Sequence, residues 1–291
     1  ELQTFEKINT IKADLSDHGS ITSAIRQSEP DEIYNLAAQS FVGASFQQPI
    51  LTADITGLGV LRVLEAIKEN APDAKFYQAS SSEMYGNYPG EKNEVSPLVP
   101  RSPYGAAKVF GHHITNHYRE AYNIFACCGI LFNHESPLRG LEFVTRKITS
   151  TLARIKFKKT NVLKLGNINA KRDWGFAGDY VEAMWLMLQQ KNPNDYVIST
   201  GESHSVEEFL SLATEFCDLG DWHDFVEIDQ AAMRPTDIED LLGNSTKAQK
   251  ELNWKPKTSF RELVKMMVDH DIEYEKSYMN PLKFNKKTQG N

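Results

Sequence analysis

The sequence has 291 residues, 41% hydrophobic and 24% charged, a balance that excludes a disordered chain or a stapled mini-protein and allows a large core. Its 32 Lys and Arg against 39 Asp and Glu give a net charge of -7, which argues against nucleic acid or an anionic membrane as partner while leaving room for a local anion pocket. The longest apolar run, Ile124 to Phe132 with Gly129 counted as neutral, falls far short of the about 20 residues that a membrane span needs.

In chain order, β-rich runs at residues 8–13, 32–37, 75–80 and 124–132 predict strands, with helices between them. The clearest helix is 51–67, where Leu51, Ile55, Leu58, Leu61, Leu64 and Ile67 form one apolar stripe; a second runs over 104–122. Strand and helix alternating in this way predict a doubly wound α/β core with a parallel sheet over residues 1–136. After a loop at Pro137, Arg139 and Gly140 the pattern loosens: helix 143–157, strand 162–165, helix 178–189 and strand 195–200. Ser205 with Glu208, and Ser259 with Glu262, have the spacing of capping boxes that open two late helices. Residues 137–291 therefore read as a smaller α+β lobe, with 178–200 returning to the core and a polar, frayed tail beyond Lys283.

Cys127, Cys128 and Cys217 are odd in number, and two are adjacent in an apolar strand, which argues against a disulfide framework and for a reducing, cytoplasmic compartment. The chain opens at Glu1 with no basic or apolar leader, so no signal peptide is expected and the opening reads as that of a fragment.

Tyr104 and Lys108 stand four apart on a predicted helix and so share a face. A nearby ammonium stabilises a phenolate and lowers the tyrosine pKa from about 10, which makes the pair a plausible acid/base unit. Alone, the spacing fits a solvated helix face equally well. Upstream, Ser80, Ser81, Ser82 and Glu83 follow a strand at the end where α/β sheets place ligands, with hydroxyls for a substrate oxygen and a carboxylate for proton transfer. A serine-rich turn with a surface glutamate is the bland alternative, and the joint order Ser81, Glu83, Tyr104, Lys108 favours chemistry. His112, His113 and His117 lack a His-Glu-x-x-His pattern or a third ligand, so no metal is expected. Lys156, Lys158, Lys159 and Lys164 read as a solvated basic face.

The runs Asn35-Leu-Ala-Ala-Gln-Ser40, Ser81-Ser-Glu-Met-Tyr-Gly86, Tyr104-Gly-Ala-Ala-Lys108, Leu131-Phe-Asn-His-Glu-Ser-Pro137, Phe143-Val-Thr-Arg-Lys147, Gly166-Asn-Ile-Asn-Ala-Lys-Arg-Asp-Trp-Gly175 and Arg234-Pro-Thr-Asp237 resemble the extended short-chain dehydrogenase/reductases that act on nucleotide sugars. Within them the resemblance is to the GDP-mannose 4,6-dehydratase family. It implies an NAD(P)-binding Rossmann core with NADP as cofactor, a nucleotide-sugar lobe, GDP-mannose as substrate and a homo-oligomer, dimer or tetramer. It also implies roles: Tyr104 as base, Lys108 as its helper and a ribose ligand, Ser81 as the substrate-orienting hydroxyl and Glu83 as the carboxylate of elimination. Asp14 and Leu15 match positions beside the adenine, while Leu36, Ala37, Ala38, Gln39 and Ser40 match the loop along the pyrophosphate and ribose. His134 and Arg139 match further NADP contacts. Asn133, Lys147, Arg172 and Arg234 match groups on the GDP moiety, and Asp237 stands where the family more often has glutamate on the guanosine ribose. Phe41 and Leu51 replace the His and Tyr of many relatives, so a tyrosine contact to the cofactor does not transfer.

No Gly-x-x-Gly-x-x-Gly follows a first strand, and the motifs begin in register at Asp14. The expectation is that a glycine loop and its flanking strands, about 50 residues by the size of a βαβ unit, lie outside this sequence. The implied reaction is dehydration of GDP-mannose to GDP-4-keto-6-deoxy-mannose by C4 oxidation, loss of water across C5 and C6, and C6 reduction. An NADPH-dependent reductase or epimerase of a nucleotide sugar, or an inactive dinucleotide-binding fragment, are the alternatives; Glu83 favours dehydration.

Overall fold

The computed structural model describes residues 7–230, 233 and 236–279. They form two compact units. The first draws on the chain up to Gly86, Leu98–Ile130 and Met184–Tyr196; the second draws on Asn87–Pro97, Leu131–Ala183 and the chain from Val197 onward.

The first unit is a parallel sheet with flanking helices. Its strands β1 (Glu32–Asn35), β2 (Lys75–Ser81), β3 (Ala126–Leu131) and Asp195–Ile198 lie in that order across the sheet. β1 and β2 run parallel in a register from Glu32 opposite Lys75 to Asn35 opposite Gln78. Every residue of β3 is buried, as expected of a strand covered on both faces, and this explains its unbroken apolar run. Helix α1 (His18–Ser28), capped by the Asp17 carboxylate, packs Ile21 and Ile25 into a cluster with Val60, Leu64, Ile67, Phe76, Tyr118 and Ile124.

Two expectations need correction here. Residues 8–13 form no strand: Ile8 and Ile11 are exposed, and the segment leads into a turn in which Asp14 accepts from the Ser16 amide at 2.8 Å. No described strand pairs with it, so β propensity has no ladder to stabilise it. Residues 51–67 are helical but interrupted, for α3 (Pro49–Thr52) and α4 (Gly59–Asn70) are joined by a π-helix over Ala53–Leu58. The wider turn rotates the face, leaving Leu51 and Leu58 exposed and burying Thr52, Thr56 and Gly57 instead. The single stripe therefore holds only for the α4 half, at Leu64 and Ile67. A short helix α2 (Val42–Gln47) precedes α3, and α5 (Pro103–Tyr122) carries the Tyr104–Lys108 pair.

The second unit packs helices Val144–Lys156, Val206–Cys217 and Phe260–Met279 around Ile148, Leu152, Trp174, Phe209, Leu210, Leu263 and Met267. Ser205 and Glu208 exchange both capping-box bonds, as do Ser259 and Glu262. Three small sheets complete it: Asp240–Leu241 with Lys171–Arg172 and His204–Ser205; Val226–Ile228 with Leu163–Leu165; and Asn133–Glu135 with Trp174–Phe176. All three cysteines are buried and free. No helix among the described residues is long and apolar enough to cross a membrane. The tail beyond Lys283 lies outside the described residues.

Candidate active site

In the first unit, β2 ends at Ser81, whose hydroxyl accepts the Glu83 amide at 3.3 Å and caps the 3-10 turn Ser82–Tyr85. Gly86 closes that turn at φ 55°, and a Cβ there would stand 1.9 Å from the Val99 carbonyl oxygen; only glycine fits. Helix α5 starts from Ser102, whose hydroxyl accepts the Gly105 amide at 3.0 Å, with Pro103 at its first position. Gly105 in turn admits the turn itself, since a Cβ on it would lie 2.8 Å from the Glu83 carbonyl oxygen. The fold thus sets the backbone of Glu83 against the helix turn that carries Tyr104.

Tyr104 and Lys108 are both buried, with the Lys108 ammonium 5.7 Å from the centre of the Tyr104 ring. The ammonium donates to the Ala79 carbonyl at 2.8 Å, its one hydrogen-bond acceptor among the described residues. Burial pushes its pKa down to about 8, because removing an ammonium from water disfavours the charged form. Ser81 is buried and Glu83 half-buried at the rim of the same turn. The backbone segments that carry Ser81 and Glu83 and the helix turn that carries Tyr104 and Lys108 therefore meet at the end of β2.

The other positions of this unit that the resemblance singled out lie on two loops. Asp14 is exposed and holds Ser16 through its amide and hydroxyl at 2.8 and 2.7 Å, bonds that lower the carboxyl pKa. The half-buried Leu15 gives its carbonyl to Arg62 at 2.9 Å. Leu36 follows the carboxyl end of β1 and is 55% exposed, with Ala37 exposed and Ala38 half-buried. Gln39 is fastened to the π-helix and the end of α3: its amide donates to the Thr56 hydroxyl at 3.0 Å and its side-chain oxygen accepts from Thr52 at 3.2 Å. Ser40 is exposed.

In the second unit, Asn133 and His134 lie on the strand Asn133–Glu135, both half-buried. His134 sets Nδ1 2.9 Å from the Phe132 carbonyl and stacks on Tyr180. Arg139 stands 3.2 Å from the buried Glu135 carboxylate and over the Phe143 ring. Lys147 is half-buried and makes no ion pair with a described residue, whereas its neighbour Arg146 grips Asp271 through two nitrogens at 2.7–3.0 Å. Arg172 is buried, donates to the Lys171 and Ile238 carbonyls at 2.8 and 2.7 Å, and pairs with Asp237 at 3.2 Å. Arg172 and Asp237 are thus brought together, while Arg234 lies outside the described residues.

Sequence reasoning missed the surroundings of the first group. His112, read only as a poor zinc candidate, points Nδ1 at the Ser80 hydroxyl, 3.1 Å away, while His113 and His117 face solvent. The signal was present in the spacing of 104, 108 and 112 along one helix face.

The model of the GDP-mannose 4,6 dehydratase family matches residues 1–267. A GDP-mannose 4,6 dehydratase of Arabidopsis thaliana is 54% identical over 91% of this chain and 72% of its own length. That of Dictyostelium discoideum is 48% identical over 95% and 83%, and that of Homo sapiens 47% over 89% and 75%. Among solved structures, RMD from Pseudomonas aeruginosa complexed with NADPH superposes with a TM-score of 0.83 at 22% identity, covering 91% of this chain and 90% of its own. A dTDP-glucose 4,6-dehydratase from Bacillus anthracis in complex with NAD gives 0.80 at 22% identity, covering 95% and 83%. At these identities the structures speak for the fold, a Rossmann-type parallel sheet with flanking helices, and the sequence relatives speak for the family. The chain belongs to the GDP-mannose 4,6-dehydratase family.

Proposed function

We infer that this chain dehydrates GDP-mannose to GDP-4-keto-6-deoxy-mannose, a hydro-lyase reaction with NADP as resident cofactor. The observation that carries the reading is a buried phenol and ammonium, the Lys108 nitrogen 5.7 Å from the Tyr104 ring centre, on the helix turn that packs against the backbone of the segment bearing Ser81 and Glu83.

The residues fit NADP on the chemistry of their donors. Lys108 is nine-tenths buried, yet among the described residues a single acceptor, the Ala79 carbonyl, meets its three N–H donors, and a buried cation with spare donors suits ribose hydroxyls. Leu36, exposed at the carboxyl end of β1, offers apolar surface where such sheets hold a cofactor. Asp14, Leu15, Leu36 to Ser40, Tyr104, Lys108, His134 and Arg139 are the proposed cofactor residues. When bound, NADP supplies the hydride acceptor for sugar C4 and the hydride donor for C6.

Tyr104, as phenolate stabilised by Lys108, takes the proton of the C4 hydroxyl while Ser81 orients that oxygen. A ketone at C4 acidifies the C5 proton, which Glu83 abstracts; the C6 hydroxyl leaves as water with proton assistance. A reductase or epimerase of the same group has no need for Glu83 at this rim. On the nucleotide, Asn133, Lys147, Arg172 and Arg234 are proposed for the GDP moiety and Asp237 for the guanosine ribose. Lys147 is the best supported as a diphosphate cation, because it holds no ion pair with a described residue.

A homo-oligomer, dimer or tetramer, is proposed from Ile50, Leu51, Leu58 and Phe110, all exposed on the α3–α5 helices and the π turn. The cytoplasm is the proposed compartment, since all three thiols are free. Incubation with GDP-mannose tests the reaction: a 4-keto-6-deoxy product without net consumption of nicotinamide is expected. No turnover of GDP-mannose by folded, NADP-loaded protein would overturn the reading.

A further inference from the structure

Behind the active-site turn runs a buried hydrogen-bonded chain to which none of the roles above is assigned. His112 stands four residues beyond Lys108 and eight beyond Tyr104, so the three share the face of α5 turned to β2. Lys108 reaches the Ala79 carbonyl at 2.8 Å, and His112 Nδ1 lies 3.1 Å from Oγ of Ser80, the residue immediately before Ser81. On the far side of the ring, His112 Nε2 meets Asn116 Nδ2 at 3.3 Å; Asn116 Nδ2 also donates to Asp195 Oδ2 at 2.9 Å. The other Asp195 oxygen takes Arg119 and the Cys128 amide. Ser80 and His112 are 4% and 6% exposed.

This chain fixes the tautomer. Burial holds the imidazole below its usual pKa, so the ring is neutral near pH 7. Asn116 must present its nitrogen to the Asp195 carboxylate, so the same NH2 group faces Nε2, which accepts. The proton then sits on Nδ1 and is donated to Ser80 Oγ. His112, Cys128 and Asp195 also place their ligand atoms within 4.8 Å of one another. Arg119 already neutralises Asp195, however, and the Cys128 thiol has its own acceptor in Asn116 Oδ1 at 3.6 Å, so each member of the trio has a partner without a cation.

We propose that His112 is a positioning residue: its bond to Ser80 locks the end of β2 against α5 and so sets Ser81 in register with Tyr104 and Lys108. The proposal rests on the dehydratase reading for its kinetic consequence, and on geometry alone for the placement of Ser81.

Two side chains separate the ends of the imidazole. His112→Asn keeps a polar group near the place of Nδ1 and loses Nε2; His112→Gln keeps the Nε2 place and loses Nδ1. With GDP-mannose, His112→Gln lowers kcat by about tenfold, with KM within about twofold of wild type, since a small misplacement of a substrate-orienting group acts on the chemical step. His112→Asn recovers most of that loss. Ser80→Ala breaks the same bond from the other side, matches the Gln variant, and adds nothing to it in the double variant. Equal rates for Gln and wild type, equal losses for Gln and Asn, or additive losses in the double variant overturn the proposal. If His112→Gln does not fold, Ser80→Ala alone carries the kinetic test. A crystal structure of His112→Gln, or of Ser80→Ala in its place, reads the placement of Ser81 without turnover. Ser81 displaced from its wild-type position supports the proposal even should GDP-mannose prove not to be the substrate, and an unmoved Ser81 overturns it.

Discussion

Lys108 is the residue whose function and stability are most opposed. Its ammonium is buried and its pKa is pushed down from 10.5 to about 8 by desolvation, a difference of 2.5 units that is worth about 3 kcal/mol at about 1.4 kcal/mol per unit. In the unfolded chain the lysine keeps its proton to about pH 10.4, so between about pH 8 and that value the unfolded state binds more protons. Stability of the ligand-free protein therefore rises with pH across that window, and the penalty is fully present below it. Lys108→Met removes the penalty and forfeits the bond to the Ala79 carbonyl, about 1 kcal/mol; that carbonyl still receives Gln78 Nε2 at 3.0 Å. The expected net effect at pH 7 is a stabilisation of about 2 kcal/mol, shrinking to near zero by about pH 9.5, while kcat falls at least about a hundredfold. Urea unfolding of the ligand-free variant and wild type at the two pH values measures this. A Met variant less stable than wild type at pH 7, or a gap that does not change with pH, would refute the electrostatic account of the pair.

Three further outcomes are expected. Glu83→Gln lowers product formation by about 10²-fold or more while C4 oxidation, seen as transient reduced nicotinamide absorbance, persists; equal loss of both in a folded protein counts against the role given to Glu83. Gly86→Ala forces a side chain into the Val99 carbonyl at a positive φ and destabilises by about 3 kcal/mol, so a variant within about 1 kcal/mol of wild type in a urea melt contradicts the turn's geometry. Asp271→Ala strands the largely buried Arg146 guanidinium, which Asp271 holds at 2.7 Å, with an expected loss of about 3–5 kcal/mol; a loss below about 1 kcal/mol shows that Arg146 finds solvent instead.

Much of this was legible in the sequence because its signals are local. β2 is set by its aromatic pair and small residues and β3 by an unbroken run of small and aliphatic residues, and α5 by the Ser102 cap, Pro103 and a long periodic stretch. Capping boxes at Ser205 and Ser259 placed their helices to the residue. What failed depends on partners far along the chain. Ile8 and Ile11 have strand chemistry but no described neighbour to pair with. The π turn at Ala53–Leu58 cannot be read from periodicity, since the buried hydroxyls of Thr56 within it and Thr52 just before it answer to Gln39 on a distant loop. The two-residue strands His204–Ser205 and Asp240–Leu241 are too short to carry a pattern. In the candidate site, residue types were evident at Ser81, Glu83, Tyr104 and Lys108, whereas the burial that sets the Lys108 pKa, and the Ser80–His112 bond, arise from packing between strand and helix.

The central claim is an internal redox dehydration, and an isotope reports on it directly. With GDP-mannose carrying deuterium at C4 of the hexose, turnover by the NADP-loaded protein is predicted to deliver the label to C6 of the 4-keto-6-deoxy product. Label lost to solvent or left in the nicotinamide pool, or product formed only as NADPH is consumed, would contradict it.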